Sequence, residues 1–213
     1  MKKTLPLALI TALLTLSLAL AQLETVTLPA PGILPGDIYG LYGLDTAIDN
    51  LLIALTTDKI LRTKRMLEVA DERLSEAYTL LEIGQNDLAN TALADEQSKE
   101  EQAKTILNNQ LTAEEITKNI AEVRRLQSHM SNRENALKAV IQKIETDNNP
   151  NNDHALSALR ASLERNKATS ADTETVIKIT NEELKSKGYP SLEAIEGKAK
   201  ANDQLTAQPG RNY

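Results

Sequence analysis

Aliphatic residues that recur at alternating steps of three and four positions most constrain how this chain can fold. From Leu67 they continue at Ala70, Leu74, Ala77 and Leu81, which is the seam spacing of helices packed as in a coiled coil. The chain contains no Phe and no Trp, and this composition favours slender helix-on-helix packing over a thick aromatic core. The sequence therefore predicts an all-α protein, an elongated antiparallel bundle with coiled-coil-like seams.

The first residues have the layout of a secretory signal. Lys2 and Lys3 precede an apolar run from Leu5 to Leu20, and small residues occupy positions −3 and −1 of a cut after Ala21. Residues 1–21 are therefore predicted to be a signal peptide, which implies a secreted, periplasmic or outer-envelope location. The alternative is an uncleaved anchor, although a spanning helix needs about 20 apolar residues and this run is slightly short.

Net charge and cysteine content exclude several kinds of partner and cross-link. After cleavage the chain would carry 22 basic and 30 acidic residues, a net charge of −8. An acidic surface repels phosphate backbones, so we expect no nucleic-acid partner. The absence of cysteine excludes disulfides and a lipoprotein anchor, and we expect no membrane span after signal cleavage.

The mature chain divides into four segments. Residues 22–36 form a proline-rich extended lead segment, residues 37–110 N-terminal helices, residues 111–187 a helical hairpin, and residues 188–213 a short helix, ending about Asn202, and a disordered tail. The first helix, about 37–56, carries its large aliphatic residues on one side, at Leu44, Ile48, Leu51, Leu52 and Leu55.

Thr57-Asp58 offers a cap for the second helix, and Gly84 marks either a break or a kink after it. Residues 86–110 are strongly polar and only weakly amphipathic, so we expect this helix to be the most exposed and to present a face to a partner. The candidate interaction residues are Leu88, Ala92, Ile106 and Leu107.

The hairpin has the clearest signals. Thr112 and Glu115 form a capping box, and Pro150 stops the helix that they begin. Residues 112–147 are predicted to pack against 153–187. In this register Glu134 faces Asn166 and Gln127 faces Thr173, a polar belt that either fixes the register as buried pairs or marks a solvent-exposed stretch.

No arrangement of residues indicates catalysis or a cofactor. Neither His129 nor His154 has a second ligand at metal-binding spacing. Glu68, Glu72 and Glu76 share one helix face, and beside several basic residues we interpret them, with Arg73, as exposed charge pairs rather than acid–base groups. We therefore expect a protein that is not an enzyme and has no cofactor.

One loop resembles a calcium site in part. Acidic and amide side chains follow one another at alternate positions, but Asn152 replaces the usual Gly and Ala158 replaces the bidentate Glu. Only weak Ca²⁺ binding is compatible with this loop. Its candidate ligands are Asp147, Asn149, Asn151 and Asp153.

Two motifs resemble a known family. Leu34-Pro35-Gly36-Asp37-Ile38-Tyr39 precedes an apolar helix, and a Leu-Glu-Val-Ala-Asp-Glu-Arg-Leu-Ser-Glu-Ala run at 67–77 is followed by Gly84. Together they are similar to the bacterial and archaeal domain-of-unknown-function family numbered 5667, over roughly residues 33–170. Ile38 departs from the Pro that is usual there. The resemblance implies a helical, envelope-located protein and brings no activity.

These observations lead to two expectations about function. The first is an exported, non-enzymatic helical protein of the envelope or exterior that acts by binding a protein partner or a second copy of itself. The alternative is a periplasmic stress or unfolded-protein sensor or holdase, with weak Ca²⁺ or metal binding.

Overall fold

The computed structural model describes residues 28–36, 41–109, 111–147 and 149–206. Over these ranges the chain is built of α-helices without strands, which confirms the all-α prediction. None of the helices in these ranges combines the length and the apolar character needed to cross a bilayer. The signal at 1–21 and the tail after Thr206 lie outside the described residues.

The helices are α1 (Leu41–Leu55), α2 (Lys59–Glu82), α3 (Asn86–Asn109), α4 (Ala113–Lys118), α5 (Ile120–Asp147), α6 (Asp153–Ser186) and α7 (Leu192–Thr206), with a 3₁₀ turn at Pro150–Asn152 between α5 and α6. The predicted caps are present. Asp58 Oδ1 accepts the backbone N–H groups of Ile60 and Leu61, both at 2.9 Å. Thr112 and Glu115 form the capping box at the start of α4.

Two helix boundaries differ from the prediction. The helix that begins after Thr112 breaks at Asn119, which separates α4 from α5. Asn has a low helix propensity, and here Asn119 Nδ2 reaches Asp58 Oδ2 at the start of α2, at 3.5 Å. The last helix continues to Thr206, beyond the predicted end near Asn202.

Four long helices form two antiparallel hairpins that stand side by side. The first hairpin is α2 with α3, which turn at Gly84 in a left-handed conformation (φ +74°) that glycine adopts without strain. The second is α5 with α6, the predicted C-terminal hairpin. Hydrogen bonds between α2 and α5 and between α3 and α6 join residues separated by 61–66 positions, such as Asp71 with Arg133 and Glu96 with Ser162. Because this separation hardly changes, α2 runs parallel to α5 and α3 runs parallel to α6.

The core consists of two apolar clusters, and α2, α3, α5 and α6 each contribute to both. The first, the Leu67 cluster, includes Leu67, Ile106, Ile120, Leu126 and Ile177. The second, the Leu74 cluster, includes Leu74, Leu80, Leu93, Leu137 and Leu159. Buried polar side chains occupy all four helices between the clusters, so the hairpins share one continuous interior.

The expectation that residues 86–110 form the most exposed helix is wrong. Helix α3 packs along the whole of α2. Of the predicted interaction residues, Leu88 is half-buried, while Ala92, Ile106 and Leu107 are at most 5% exposed. Small side chains at Ala89 and Ala103 let α3 approach its neighbours closely. Ala92, Ile106 and Leu107 therefore belong to the core and cannot form a free partner face, and Leu88 packs partly buried against the second apolar cluster.

Candidate functional site: the first helix and the charges beneath it

Helix α1 presents its apolar side to solvent. Of the ten exposed large hydrophobic side chains in the described ranges, six lie on this one helix, between 37% and 67% exposed. An amphipathic helix ordinarily turns that side toward the core, and the structure does the opposite. We call this surface the α1 stripe; it comprises Leu41, Leu44, Ile48, Leu51, Leu52 and Leu55.

The stripe has a regular spacing. Leu41, Leu44, Ile48, Leu51 and Leu55 follow steps of three and four, which is the repeat of a helix that packs into a coiled-coil seam. Helix α1 contains no Lys and no Arg. The stripe is therefore a continuous uncharged surface suited to a second helix.

The inner side of α1 is polar. Its Asp45 and Asp49 carboxylates bind the guanidinium of Arg73 on α2 at 3.0 and 2.8 Å. The Arg73 guanidinium also lies over the ring of Tyr42, 5.0 Å from its centroid. Ile53 is the buried residue of α1. Ion pairs and this one aliphatic contact thus hold α1 in its inverted orientation.

Arg73 is the centre of a buried charge cluster. Its side chain is fully buried and binds Glu76 Oε1 at 2.6 Å, and its Nε lies 3.2 Å from Asp95 Oδ2 on α3. The interpretation of Arg73 and Glu76 as exposed is therefore wrong, whereas Glu68 is exposed and pairs with Lys64 as expected. We call this group the Arg73 cluster; its members are Asp45, Asp49, Glu72, Arg73, Glu76 and Asp95.

Burial shifts the proton affinities of this cluster. Desolvation raises the pKa of Glu76 to about 7 even though Arg73 opposes the shift. Desolvation also raises the pKa values of Asp49 and Glu72 above their ordinary range. The pKa of the Tyr42 hydroxyl rises to about 12 for the same reason. Negative charge is thus costly here, and any added positive charge would be favoured.

A second charge cluster lies at the centre of the bundle. Arg133 on α5 is fully buried and binds Asp71 on α2 and Glu96 on α3. Arg165 on α6 binds Glu100 Oε2 at 3.0 Å. Burial raises the pKa of Glu96 to about 7 against the pull of Arg133. This Arg133 cluster separates the two apolar clusters and links both hairpins.

The predicted polar belt is only partly buried. Asn166 and Thr173 are buried, but Gln127 and Glu134 are half-buried and bind residues of their own helix, with Gln127 accepting from Arg124 and Glu134 pairing with Lys138 at 2.6 Å.

Neither predicted pair is hydrogen-bonded within the described ranges: Asn166 Nδ2 donates to the Met130 carbonyl at 2.8 Å, and Thr173 Oγ1 donates to the Thr169 carbonyl of its own helix at 2.8 Å. The predicted seam of α5 is otherwise buried, at Ile120, Val123, Met130, Leu137, Ile141 and Ile144, but Leu126 and Arg133 are buried in place of Gln127 and Glu134. A polar layer exists, but Arg133 builds it. The one sequence signal for the burial of Arg133 was its position between Met130 and Leu137, which share its side of the helix.

The calcium candidates and His154 lie at the surface, whereas His129 is half-buried. The four calcium candidates Asp147, Asn149, Asn151 and Asp153 are exposed, and Asn149 Oδ1 accepts the N–H of Asn151 at 3.0 Å. His129 Nε2 is 2.9 Å from Asp71 Oδ2. His154 Nδ1 is 3.0 Å from Asn90 Oδ1. Weak Ca²⁺ binding by the loop stays a prediction.

These features define a helical bundle with two buried charge clusters and an outward-facing apolar helix. A family model described as "Domain of unknown function (DUF5667)" matches residues 32–207, and the chain belongs to that family. The predicted resemblance is confirmed and extends further toward the C-terminus than the motifs indicated. Neither a curated protein nor a solved structure matches the chain.

Proposed function

We propose that this is an exported, non-enzymatic protein that acts through helix–helix association, with the α1 stripe of one copy packed against the α1 stripe of a second copy. The observation that carries the proposal is the exposure of six large aliphatic side chains on one helix. Soluble proteins rarely leave such a contiguous apolar surface uncovered, and where it occurs it usually marks an interaction site.

The spacing of the stripe favours a helix as the occupant. Aliphatic side chains spaced by three and four positions insert between the side chains of a facing helix, as in a coiled coil. An uncharged surface related to its copy by a twofold axis meets only apolar groups, so self-pairing brings no like charges together.

Charge argues against a membrane surface as the occupant. Helices that lie on bilayers usually carry Lys or Arg beside the apolar face to bind anionic headgroups. Helix α1 has neither, and the whole chain is acidic. The sensor or holdase alternative stays a prediction, and a client-aggregation assay distinguishes it.

Sedimentation equilibrium of the exported chain at micromolar concentrations tests the proposal. We expect a dimer, and we expect Ile48→Lys and Leu51→Lys each to give a folded monomer with the helical circular-dichroism spectrum of the parent, since both side chains are about half exposed already. The matched control is Ile179→Lys on α6, which is 57% exposed and outside the stripe; it should remain dimeric. A monomeric parent chain, or α1 variants that still dimerise, would contradict the proposal.

A further inference from the structure

Three carboxylates converge where α1 meets α2. Asp45 from α1 and Glu72 and Glu76 from α2 each place a ligand oxygen within 4.8 Å of the others. A calcium ion binds oxygens at about 2.3–2.6 Å, so oxygens at these separations can share one ion. The sequence hides this grouping, because Asp45 is far from the two glutamates along the chain.

One of these three carboxylates has a buried oxygen without a hydrogen-bond partner. Glu76 is fully buried, and its Oε1 accepts from Arg73 while its Oε2 has no hydrogen-bond donor in the described part of the chain. Buried carboxylate oxygens are nearly always satisfied, because leaving one unpaired costs its lost hydration. A cation beside Glu76 Oε2 would replace that hydration.

The local charges also leave room for a cation. Five carboxylates belong to the Arg73 cluster, against three cations: Arg73, Lys99 near Asp95, and Arg65, whose charge acts on Asp49. Arg73 contacts Asp45 through Oδ2 and Glu76 through Oε1, which leaves the second oxygen of each carboxylate for another ligand. Glu72 forms no hydrogen bond or ion pair with the described residues.

The lead segment closes the site from the other side. A Cβ atom at Gly32 would lie 2.1 Å from Glu72 Oε1 and 2.8 Å from Glu76 Oε1, so the backbone of the lead segment passes close to the ends of these two side chains. The site is thus bounded by α1, α2 and the extended segment at 28–36, all of which a bound ion would hold together.

We propose that Asp45, Glu72 and Glu76 bind one hard divalent cation of the Ca²⁺ class, which clamps α1 and the lead segment to α2. Flexible carboxylate ligands suit Ca²⁺ better than Mg²⁺, which requires near-octahedral geometry. The neighbouring Arg73 charge weakens the affinity, so the dissociation constant belongs to the extracellular range of about 10⁻⁴–10⁻³ M. This site is separate from the loop at 147–153.

Terbium luminescence provides a direct test, because Tb³⁺ substitutes for Ca²⁺ and is sensitised by a nearby tyrosine. Tyr42 lies beside the cluster, and the chain has no Trp to compete. We expect saturable luminescence from Tb³⁺ bound to the full exported chain, displaced by millimolar Ca²⁺. Calorimetric titration with Ca²⁺ should give one site.

Variants decide where the ion binds. Glu72→Gln, at a half-buried position that should tolerate the change, is expected to weaken Ca²⁺ binding at least tenfold, and Glu76→Gln should do the same. The control is Glu68→Gln, one turn earlier on the same helix and exposed, which should bind as the parent does. Undiminished binding by folded Glu72→Gln, loss of binding in Asp153→Asn instead, or no binding by the parent would overturn the proposal.

The test is independent of self-association. The same titration on the Ile48→Lys variant reports cation binding without the proposed dimer contact, since Ile48 belongs to the stripe and is no ligand of the site. Ca²⁺ binding that persists in this variant supports the cation site whatever the oligomeric state. Loss of binding there would contradict a site contained within one copy.

Discussion

At the scale of single residues, two arginines organise the interior. Arg73 and Arg133 are among the largest fully buried side chains of the described chain, and each is surrounded by carboxylates from other helices. A buried charge is costly unless it is paired and hydrogen-bonded. The ion pairs therefore favour one arrangement of the helices, because each guanidinium fits only where several carboxylates meet.

Removing Arg133 should strongly destabilise the fold. Arg133→Met leaves the buried Glu96 carboxylate without its main partner, and breaking a buried pair in this way typically costs about 3–5 kcal/mol. The measurement is the free energy of unfolding in urea, followed by circular dichroism. Arg125→Met, at an exposed position on the same helix, is the control and should change it by less than about 0.5 kcal/mol. Equal effects at both positions would show that the buried pairing is unimportant.

The raised pKa of Glu96 predicts a pH dependence of stability. Its pKa is about 7 in the fold and 4.5 as the reference for the unfolded chain, so between these values the folded state binds more protons. The free energy of unfolding should therefore fall as pH rises from about 4.5 to 7. The raised pKa of Glu76 also makes the free energy of unfolding fall as pH rises over this range. The lowered pKa of Asp71 makes the free energy of unfolding rise with pH, but only at more acidic pH.

Replacing the titrating group isolates its contribution. Glu96→Gln should flatten the decline in the free energy of unfolding between pH 4.5 and 7, measured by urea titration at several pH values. Glu101→Gln, on the exposed side of α3, should leave the slope unchanged. A slope that is the same in Glu96→Gln and in the parent would contradict the assignment of a raised pKa to Glu96.

At the scale of helices, the features that depend on local signals could be predicted from the sequence, whereas those that depend on long-range contacts could not. The caps at Asp58 and Thr112 and the break at Gly84 follow from residue types within a few positions. The orientation of α1 and the burial of α3 do not, because they depend on ion pairs between distant residues, such as Asp49 with Arg73 and Glu96 with Arg133. A periodicity argument assigns polar sides to solvent and therefore misplaces both helices.

The Asp58 cap offers a test at this scale. Its carboxylate satisfies two backbone N–H groups at the start of α2, and replacing such a cap with Ala usually costs about 1 kcal/mol. We expect that loss in the urea-derived free energy of unfolding of Asp58→Ala. Thr57→Ala, next to it and exposed, should be near neutral. A neutral Asp58→Ala would show that the cap does not contribute to stability.

At the scale of the whole molecule, the parallel arrangement of two hairpins makes the bundle one unit. Each apolar cluster contains residues of both hairpins, and the Arg133 cluster crosses between them. The sequence predicted the second hairpin but not its alignment with the first, since that alignment appears only in contacts some 64 positions apart. Neither hairpin buries its apolar side alone.

A core substitution in one hairpin should therefore destabilise both hairpins. Leu137 on α5 is fully buried against residues of α2 and α3, and Leu137→Ala should cost about 2–5 kcal/mol. Hydrogen exchange followed by mass spectrometry should show faster exchange in peptides of α2 and α3 as well as of α5 and α6. Faster exchange confined to residues 120–186 would mean that the hairpins unfold separately.

The outward orientation of the α1 stripe and its pairing with a second copy are tested most directly by disulfide cross-linking, which the cysteine-free chain permits. Ile48 lies at the centre of the stripe, so in a twofold pair it meets its own counterpart whichever way the helices run. Under mild oxidation Ile48→Cys should form a covalent dimer on a non-reducing gel, while Ile179→Cys on α6 should stay monomeric. Absence of the Ile48→Cys dimer, or equal dimer in both variants, would contradict the account.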